Sequence, residues 1–273
     1  MNIKQVLLGT RLGSFAILSR EKIDLVRTAL RQPEAVGTIA NDQLASMLVA
    51  SICQSGKTFL DVGAHIGSVI SAVRKHDPAV RIIAVEAIPE KAARLRRKFP
   101  NVVLHACAVA EADGEMTFFI DTQKTGYSSL IAPDDNESHI REIQVAVKRL
   151  DTLIPADAVV DVIKIDIEGA ELGALRGATN LLTKWKPVVM FESAPTRLSS
   201  GYEPRDLYQF FERRGYEIVV PNRLAHDGSG LCEQGFIESH LYPRRSTNYF
   251  AVHRDRRIEI RDRARRVLGI QAP

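Results

Sequence analysis

Cysteine is scarce in this sequence. Its 273 residues include three cysteines, Cys53, Cys107 and Cys232, which lie far apart and form no Cys-x-x-Cys pair. An odd number at such spacing disfavours both a disulfide framework and a thiolate metal site. We therefore expect a protein of a reducing compartment, most simply the cytoplasm.

Long apolar runs are also missing. No stretch reaches the roughly 18 uninterrupted apolar residues that a membrane-spanning helix needs. Residues 1–19 contain short apolar runs, but Lys4 and Arg11 interrupt them and no small-residue cleavage site follows. The sequence predicts neither a membrane span nor a signal peptide.

An excess of basic over acidic residues is missing from most of the chain, because the net charge of +4 is confined to one end. Residues 254–266 contain seven arginines against three acidic residues, an excess of four that accounts for the whole net charge. Acids interleaved with bases are typical of a solvent-exposed terminal helix rather than of a nucleic-acid arm. We expect no nucleic-acid partner.

From residue 57 onward, β-branched runs alternate with helical patterns. Five runs are nearly continuous in apolar residues: TFLDV at 58–62, RIIAVE at 81–86, NVVLHA at 101–106, VDVIKID at 160–166 and PVVMFE at 187–192. Strands without polar alternation are buried on both faces, as in a parallel sheet covered by helices. With predicted helices such as 89–99 and 169–185, this pattern favours an α/β fold.

Two features interrupt the alternation. Residues 114–121 and 142–150 resemble strands that extend the sheet around a long loop, and such loops are often functional. Later, a helix at 203–215 is followed by strands at 216–220 and 247–254 with no helix between the two strands. The last strand should therefore enter the sheet antiparallel.

The stretch FLDVGAHIGS, residues 59–68, places two glycines after the first predicted strand. Ligands of open α/β sheets bind beyond the carboxyl ends of the strands, where glycine permits positive φ and a close approach to the backbone. Gly63 and Gly67 are four apart, so the Gly-x-Gly-x-x-Gly turn of dinucleotide-binding proteins is absent. The carboxylates of Asp61 and Asp166 would repel a diphosphate and suit an ammonium or sulfonium ligand.

Glu86 closes the second run, nineteen residues after Gly67. A carboxylate at this place can accept hydrogen bonds from both ribose hydroxyls of NAD or of any adenosine ligand. Alternatively, it caps the turn before Pro89. Glu86 therefore indicates a nucleoside without choosing among nucleosides.

Several sequence blocks occur in a characteristic order. They are FLDVGAHIGS, AVEAIPE, NVVLHACAVAEADGEMTFF, GYSSL, VKRLDTLI, VIKIDIEGAELGALRGATNLL and KPVVMFE. Over residues 57–192 they resemble the FkbM family of S-adenosylmethionine-dependent methyltransferases, and Lys164 to Glu171 is the most family-specific part. The resemblance implies a Rossmann-like class I methyltransferase, with a seven-stranded, mostly parallel sheet, an antiparallel last strand and helices on both faces.

The resemblance also divides the chain and implies where the cofactor binds. We predict a helical lead-in at residues 1–56, a methyltransferase domain at 57–253 and an arginine-rich tail at 254–273. The residues that would hold S-adenosylmethionine are Asp61, Gly63, Ala64, His65 and Gly67 around the methionine part, Glu86 and Ala87 at the ribose, and Ala106, Cys107 and Ala108 beside the adenine. His65 stands where asparagine is common in the family, so it is either a ligand contact or a turn residue facing solvent.

Members of this family typically methylate hydroxyls, often of sugars or polyketide-type natural products. Methyl transfer from a sulfonium is an in-line displacement, and an alcohol acceptor must lose its proton as the bond forms. We predict Asp166 as the base or as the group that orients the hydroxyl, and Glu168 as its partner. We predict three substrate contacts: Tyr127, Ser129 and Glu192. A helix cap is the alternative for Asp166.

Other functions compete with this interpretation. The acidic residues could instead hold Mg²⁺ against a pair of hydroxyls, but the resemblance argues against a metal site. A nicotinamide-dependent oxidoreductase would need the middle glycine of Gly-x-Gly-x-x-Gly to admit the diphosphate of its cofactor, and this glycine is missing here. A non-catalytic protein would bind an adenosine ligand on a Rossmann-like scaffold, or use its arginines on RNA or an anionic surface. The helical lead-in could also form a homodimer contact.

Overall fold

The computed structural model describes residues 23–121, 128–129, 140–193 and 202–270. Within them the strands are β1 Thr58–Val62, β2 Arg81–Val85, β3 Val103–His105, β4 Ala108–Val109, β5 Gly114–Asp121, β6 Ser128–Ser129, β7 Ile140–Lys148, β8 Val160–Ile165, β9 Val188–Glu192, β10 Tyr216–Val219 and β11 Asn248–His253. The main sheet has the order β10, β11, β9, β8, β1, β2, β3. Only β11 in this sheet runs antiparallel to its neighbours. The prediction of a mostly parallel seven-stranded sheet with an antiparallel last strand is confirmed.

Helices cover both faces of the sheet. They are α1 Val36–Ser51, α2 Ser68–His76, α3 Pro89–Lys98, α4 Leu150–Leu153, α5 Glu171–Arg176, α6 Thr179–Trp185, α7 Pro204–Glu212, α8 Glu233–Glu238 and α9 Arg257–Leu268, and residues 23–31 are also helical. No helix among these described residues is both long and apolar enough to cross a bilayer.

The core lies on the two sides of the central strands, whose residues are all buried in β1 and β8. Successive side chains of a strand point to opposite faces, and Phe59 and Leu60 accordingly belong to different apolar clusters. Leu60 packs in the cluster that includes Leu175 of α5, whereas Phe59 packs in the cluster that includes Leu48 of α1. Burial on both faces explains why these strands show no polar alternation.

The strand order creates a ligand-binding edge. β1 lies between β2 and β8, so the chain winds in opposite directions on its two sides, and such a point opens a crevice at the carboxyl ends of the strands. The backbone amide of Gly63 donates to Val85 O at 3.0 Å, and that of Asp166 donates to Val62 O at 3.2 Å. These bonds bring the segments after β1, β2 and β8 together.

The strands β5 and β7 do not extend the main sheet, so that prediction is wrong. They pair with each other from Gly114 opposite Val147 to Asp121 opposite Ile140, within a second sheet of order β4, β7, β5, β6. The edge strand β3 has only three residues, which offers little backbone for pairing. The chain instead turns after His105 and pairs β4 with β7.

The predicted helix at 169–185 is two helices, α5 and α6. A Cβ atom on Gly177 would overlap the carbonyl oxygen of Ala110, so the chain bends where it passes this backbone. The carboxylate of Asp151 then accepts hydrogen bonds from the amides of Asn180 and Leu181 at 3.0 and 2.9 Å. This bonding satisfies amides at the start of α6.

The tail helix α9 is not fully solvent-exposed, which corrects the expectation from its charge pattern. Asp161, buried in β8, accepts hydrogen bonds from Arg256 at 2.6 Å, from Arg263 at 2.7 Å and from the amide of Gln54 at 2.7 Å. Burial opposes ionisation, but these partners outweigh it and hold the pKa of Asp161 below its usual value. Arg263 of α9 and Arg256, the residue before the helix, lie inward because they neutralise this buried carboxylate. The division at residues 56 and 253 stays a prediction.

We expect Arg263→Leu to lower the free energy of unfolding by about 3 kcal/mol, because it leaves a buried carboxylate with one fewer cation. Arg266→Leu on the same helix, at an exposed position, should change the stability by less than about 0.5 kcal/mol. Urea unfolding of both variants at neutral pH measures the difference. Equal effects of the two substitutions would contradict a structural role for the Arg263 and Asp161 pair.

Candidate active site

A cavity of about 350 Å³ opens at the carboxyl ends of β1, β2 and β8. Small-molecule pockets typically have volumes of about 300–1,000 Å³. One part of the wall combines Gly63, Ala64, Glu86 and Ala87, and another carries Asp166 and Glu168. The structure therefore brings most of the predicted cofactor residues and both predicted catalytic residues to one cavity.

The first wall begins with the turn after β1, where Gly63, His65 and Gly67 have φ values of 80°, 51° and 75°. A Cβ atom on Gly63 would overlap the carbonyl oxygen of Asp166, and one on Gly67 would lie 2.8 Å from Leu95 Cδ2. Gly63 lines the cavity, whereas Gly67 lies behind it at the N-cap of α2. Both glycines are required by close packing and by the left-handed backbone.

Glu86 is buried and lines the same wall. Its Oε2 accepts a hydrogen bond from the amide of His65 at 2.8 Å, and its Oε1 accepts one from the amide of Ile88 at 3.0 Å. Burial raises the pKa of Glu86 despite these bonds. Each carboxylate oxygen has a second acceptor position, so a role as a turn cap and a role as a ribose ligand are compatible.

The predicted adenine side is only partly assembled. Cys107 and Ala108 are buried and line the cavity with Phe118. Burial raises the pKa of the Cys107 thiol to about 11, so this residue contributes an apolar surface. Ala106 is exposed between β3 and β4 and does not line the cavity, because the chain turns away after His105.

Asp61 lies behind the cavity wall rather than in it, and its role as a direct ligand contact stays a prediction. The Nζ atom of Lys164 is 3.5 Å from Asp61 Oδ1 and 3.3 Å from Asp166 Oδ2, and it donates to Gly63 O at 2.8 Å. Neither carboxylate oxygen of Asp61 accepts a hydrogen bond from the described residues. Burial raises the pKa of Asp61 although Lys164 opposes the shift. Asp61 therefore acts on the cavity through Lys164.

Lys164 is the main residue that the sequence analysis left without a role. Burial disfavours its charge, but the carboxylates of Asp61 and Asp166 outweigh this effect and raise the pKa of Lys164. A lysine inside a buried strand was the available signal, since a buried cation requires an anionic partner.

Three carboxylates cluster at the second wall, of which Asp166 and Glu168 line the cavity and Glu192, a predicted substrate contact, does not. Asp166, Glu168 and Glu192 each offer an oxygen within 4.8 Å of the other two. Strand alternation does not produce this arrangement, because β8 ends at Ile165 and Glu168 has a left-handed φ of 54°.

Glu171 fixes the turn that carries these carboxylates. Its Oε1 accepts hydrogen bonds from the amides of Ile167 at 3.0 Å and of Gly169 at 3.2 Å, and Tyr202 donates to its other oxygen. The second acidic residue of the IEGAE block therefore has a structural role that the sequence analysis did not assign.

The three carboxylates differ in protonation. Burial opposes ionisation of Asp166, but Lys164, a hydrogen bond from Glu192 and the nearby His65 lower its pKa. Burial and the charge of Asp166 raise the pKa of Glu192, which is therefore the protonated partner of the pair. Burial, followed by the charges of Asp166 and Glu171, raises the pKa of Glu168 to about 7.

The same cluster offers oxygen ligands of the kind that divalent cations prefer. The ammonium of Lys164, 3.3 Å from Asp166 Oδ2, already pairs with one of these carboxylates. The expectation that the site uses no metal stays a prediction.

The remaining predicted and observed contacts lie around this cluster. Tyr127 lies outside the described residues, and for Ser129 only its place in β6, opposite Phe119, is described. Ser46 of α1 and Asn248 of β11 line the cavity, although the sequence analysis named neither. The sequence pattern around each residue predicts a helix or a strand, but it does not predict which of its side chains face the cavity.

We expect Gly67→Ala to lower the free energy of unfolding by about 2 kcal/mol, because the left-handed φ is costly for alanine and its Cβ would crowd Leu95 and Phe99. Gly37→Ala provides the matched control, since Gly37 lies inside α1 with open space around it. The control should be neutral or stabilising by up to about 1 kcal/mol. Urea unfolding distinguishes the two results, and a neutral Gly67→Ala would contradict the geometry of the turn.

A curated protein is similar to part of this chain. "Methyltransferase 1" of Beauveria bassiana (strain ARSEF 2860) is 28% identical over 141 residues, which are 43% of this chain and 57% of the relative. The chain thus spans little more than half the length of this curated relative.

Two solved structures show a distant likeness. The methyltransferase FkbM of Methylobacillus flagellatus KT has a TM-score of 0.45 at 19% identity, covering 72% of this chain and 44% of that one. A precorrin-6y C5,15-methyltransferase of Geobacter metallireducens GS-15 has a TM-score of 0.39 at 18% identity, covering 64% of this chain and 70% of that one.

The family model of the methyltransferase FkbM domain matches residues 61–218, from the end of β1 into β10. This match spans more than half of the chain and includes the glycine turn, Glu86 and the KIDIEGAE block. The chain belongs to the FkbM methyltransferase domain family.

Proposed function

We propose that this protein is an S-adenosylmethionine-dependent O-methyltransferase that methylates a hydroxyl group of a sugar or natural product. The observation that carries the proposal is one cavity with two different walls. The first wall offers Glu86 and apolar surface, as a nucleoside requires. The second offers the carboxylates of Asp166 and Glu168, which can orient and deprotonate a hydroxyl.

The first wall fits the cofactor. Glu86 retains acceptor positions for ribose hydroxyls, and the glycine turn lets a ligand approach backbone atoms of Gly63 and Ala64. Two carboxylates, Asp61 and Asp166, surround a single buried ammonium, so the local charge favours a cationic ligand. S-adenosylmethionine supplies a methyl group on a positively charged sulfonium.

The second wall divides two tasks between neighbouring carboxylates. A general base works best when its pKa is near the working pH, and the pKa of Glu168, at about 7, meets this condition. The lowered pKa of Asp166 makes it a weak base but a stable negative charge. Of the two roles predicted for Asp166, these properties favour orientation of the hydroxyl, with Glu168 accepting the proton.

The competing functions find less support. The turn lacks the middle glycine that a nicotinamide dinucleotide needs for its diphosphate. The tail arginines are largely engaged within the protein: Arg256 and Arg263 pair with Asp161, and Arg261 and Arg265 pair with Asp227. Few of them are left to bind RNA or an anionic surface. The cytoplasmic location, the homodimer and the absence of a nucleic-acid partner stay predictions.

We expect Glu86→Gln to weaken the binding of S-adenosylhomocysteine about 10- to 100-fold, because the amide offers one oxygen and no charge to the ribose hydroxyls. Isothermal titration calorimetry measures this effect directly. Glu90→Gln on α3, whose carboxylate is exposed and pairs with Arg141, should bind like the wild type. Tighter binding of NAD than of S-adenosylhomocysteine by the wild type would refute the proposed cofactor.

We expect the wild-type turnover number to rise with pH through about 7 and then level off, because Glu168 with its raised pKa is protonated and inactive as a base below that value. Glu168→Gln should lower kcat about 100-fold or more and remove this pH dependence, while S-adenosylhomocysteine binding stays unchanged. Transfer of a labelled methyl group across pH measures both effects. If the turnover number of Glu168→Gln still rises with pH through about 7, Glu168 is excluded as the base.

A further inference from the structure

The lead-in helix α1 holds the segment that enters β11. Asp42 Oδ1 accepts hydrogen bonds from Ser246 Oγ at 3.0 Å, from the amide of Thr247 at 2.9 Å and from the amide of Asn248 at 3.2 Å. The neighbouring Asn41 donates to Arg245 O at 2.7 Å. One turn of α1 therefore fixes the backbone immediately before and at the start of β11.

Asn248 lies next to the carboxylate cluster. It is the first residue of β11, it pairs in register with Glu192 of β9, and it lines the cavity that Asp166 and Glu168 also line. Residues directly opposite each other on antiparallel strands have Cβ atoms about 4.5–5.5 Å apart. The side chain of Asn248 therefore belongs to the end of the cavity where the methyl acceptor would bind, which we call the acceptor end.

The contacts of Asn248 determine which polar atom it can offer a ligand. Its Nδ2 donates to Asp42 Oδ1 at 3.4 Å and to Thr247 Oγ1 at 3.1 Å. A carboxylate can only accept hydrogen bonds, so the amino group must face Asp42. The amide carbonyl of Asn248, which accepts no hydrogen bond from the part of the chain that the structure describes, is the remaining polar atom.

This end of the cavity is therefore rich in protein groups that accept hydrogen bonds. Asp166 is already paired with Lys164 and Glu192, whereas the carboxylate of Glu168 and the carbonyl of Asn248, which line the same cavity, accept no hydrogen bond from the described residues. The ammonium of Lys164 is directed at Gly63 O and at the carboxylates of Asp61 and Asp166. Such a wall is complementary to a ligand with more than one donating group, because a ligand with one donor would leave desolvated acceptors unpaired.

We propose that Asn248 is a specificity-determining residue of the acceptor site and that Asp42 is the residue that positions it. The amide carbonyl of Asn248 accepts a hydrogen bond from a second hydroxyl or amino group adjacent to the hydroxyl that is methylated. Preferred acceptors are then vicinal polyols or amino alcohols rather than phenols or simple alcohols. This inference rests on the proposed O-methyltransferase function.

Pairs of methyl acceptors that differ by one hydroxyl group test the role of Asn248. Methyl glycosides are compared with their monodeoxy analogues, and cyclohexanediol with cyclohexanol, using labelled S-adenosylmethionine and the full chain. The wild type should prefer the diol of a pair at least about tenfold in kcat/KM, and Asn248→Ala should lose this preference through a KM about tenfold higher for the diol. The control is Asn222→Ala, which removes an exposed side-chain amide outside the cavity. It should keep the wild-type preference for the diol.

The positioning role of Asp42 has its own test. Asp42→Ala should raise KM for the diol about as much as Asn248→Ala does, and this effect on KM should exceed its effect on kcat. Asp42→Asn keeps an oxygen that can accept from the amides of Thr247 and Asn248, so it should largely restore the preference. If Asp42→Ala does not fold, as judged by circular dichroism, then Asn248→Ala and Asp42→Asn decide the question.

The possible failures are distinguishable. A preference for the diol that survives in Asn248→Ala, or equal use of diol and simple alcohol by the wild type, overturns the inference about Asn248. Binding of S-adenosylhomocysteine by a wild type that methylates no member of the panel also overturns it, while leaving the cofactor wall intact. Failure of the wild type to bind S-adenosylhomocysteine overturns the proposed function itself.

Discussion

The buried ammonium of Lys164 is the interaction on which the ligand-binding edge depends. It lies 3.5 Å from Asp61 and 3.3 Å from Asp166 and donates to Gly63 O at 2.8 Å. An unpaired buried cation is costly, and removing one member of a buried pair is strongly destabilising. Because Asp61 belongs to β1 and Asp166 follows β8, this ammonium holds together the two strands between which the winding reverses.

The same cation also controls the protons of the acceptor wall. Burial raises the pKa of both Glu192 and Glu168, and the charge of Asp166, which Lys164 helps to keep ionised, raises both further. The result is one ionised carboxylate, one protonated carboxylate and one that titrates near neutral pH. Lys164, a buried strand residue, thus contributes to the distribution of protons among these carboxylates.

Sequence patterns predicted the parts of the structure that depend on local chemistry. Continuous apolar runs identified the buried strands, and Gly63 and Glu86 identified the ligand-binding turns, because positive φ and strand-end carboxylates leave a signature within a few residues. The patterns failed where distant partners decide the outcome. The bond from Thr247 to Asp42 joins residues 205 apart in sequence, and the inward face of α9 depends on Asp161, so neither periodicity nor charge pattern could reveal them.

This contrast suggests how one scaffold can retain its cofactor while changing its acceptor. The cofactor wall comes from turns within residues 61–218, the region that matches the family model, and each turn is fixed by bonds to the adjacent strand. The part of the acceptor wall built by Ser46 and Asn248 comes from elements outside that region. Under the proposed function, substitutions of Ser46 or Asn248 change this wall directly, whereas Lys164 is held by its bonds to Gly63, Asp61 and Asp166. Under the proposed function, part of the acceptor selectivity therefore comes from residues outside the ion pairs that Lys164 forms with Asp61 and Asp166.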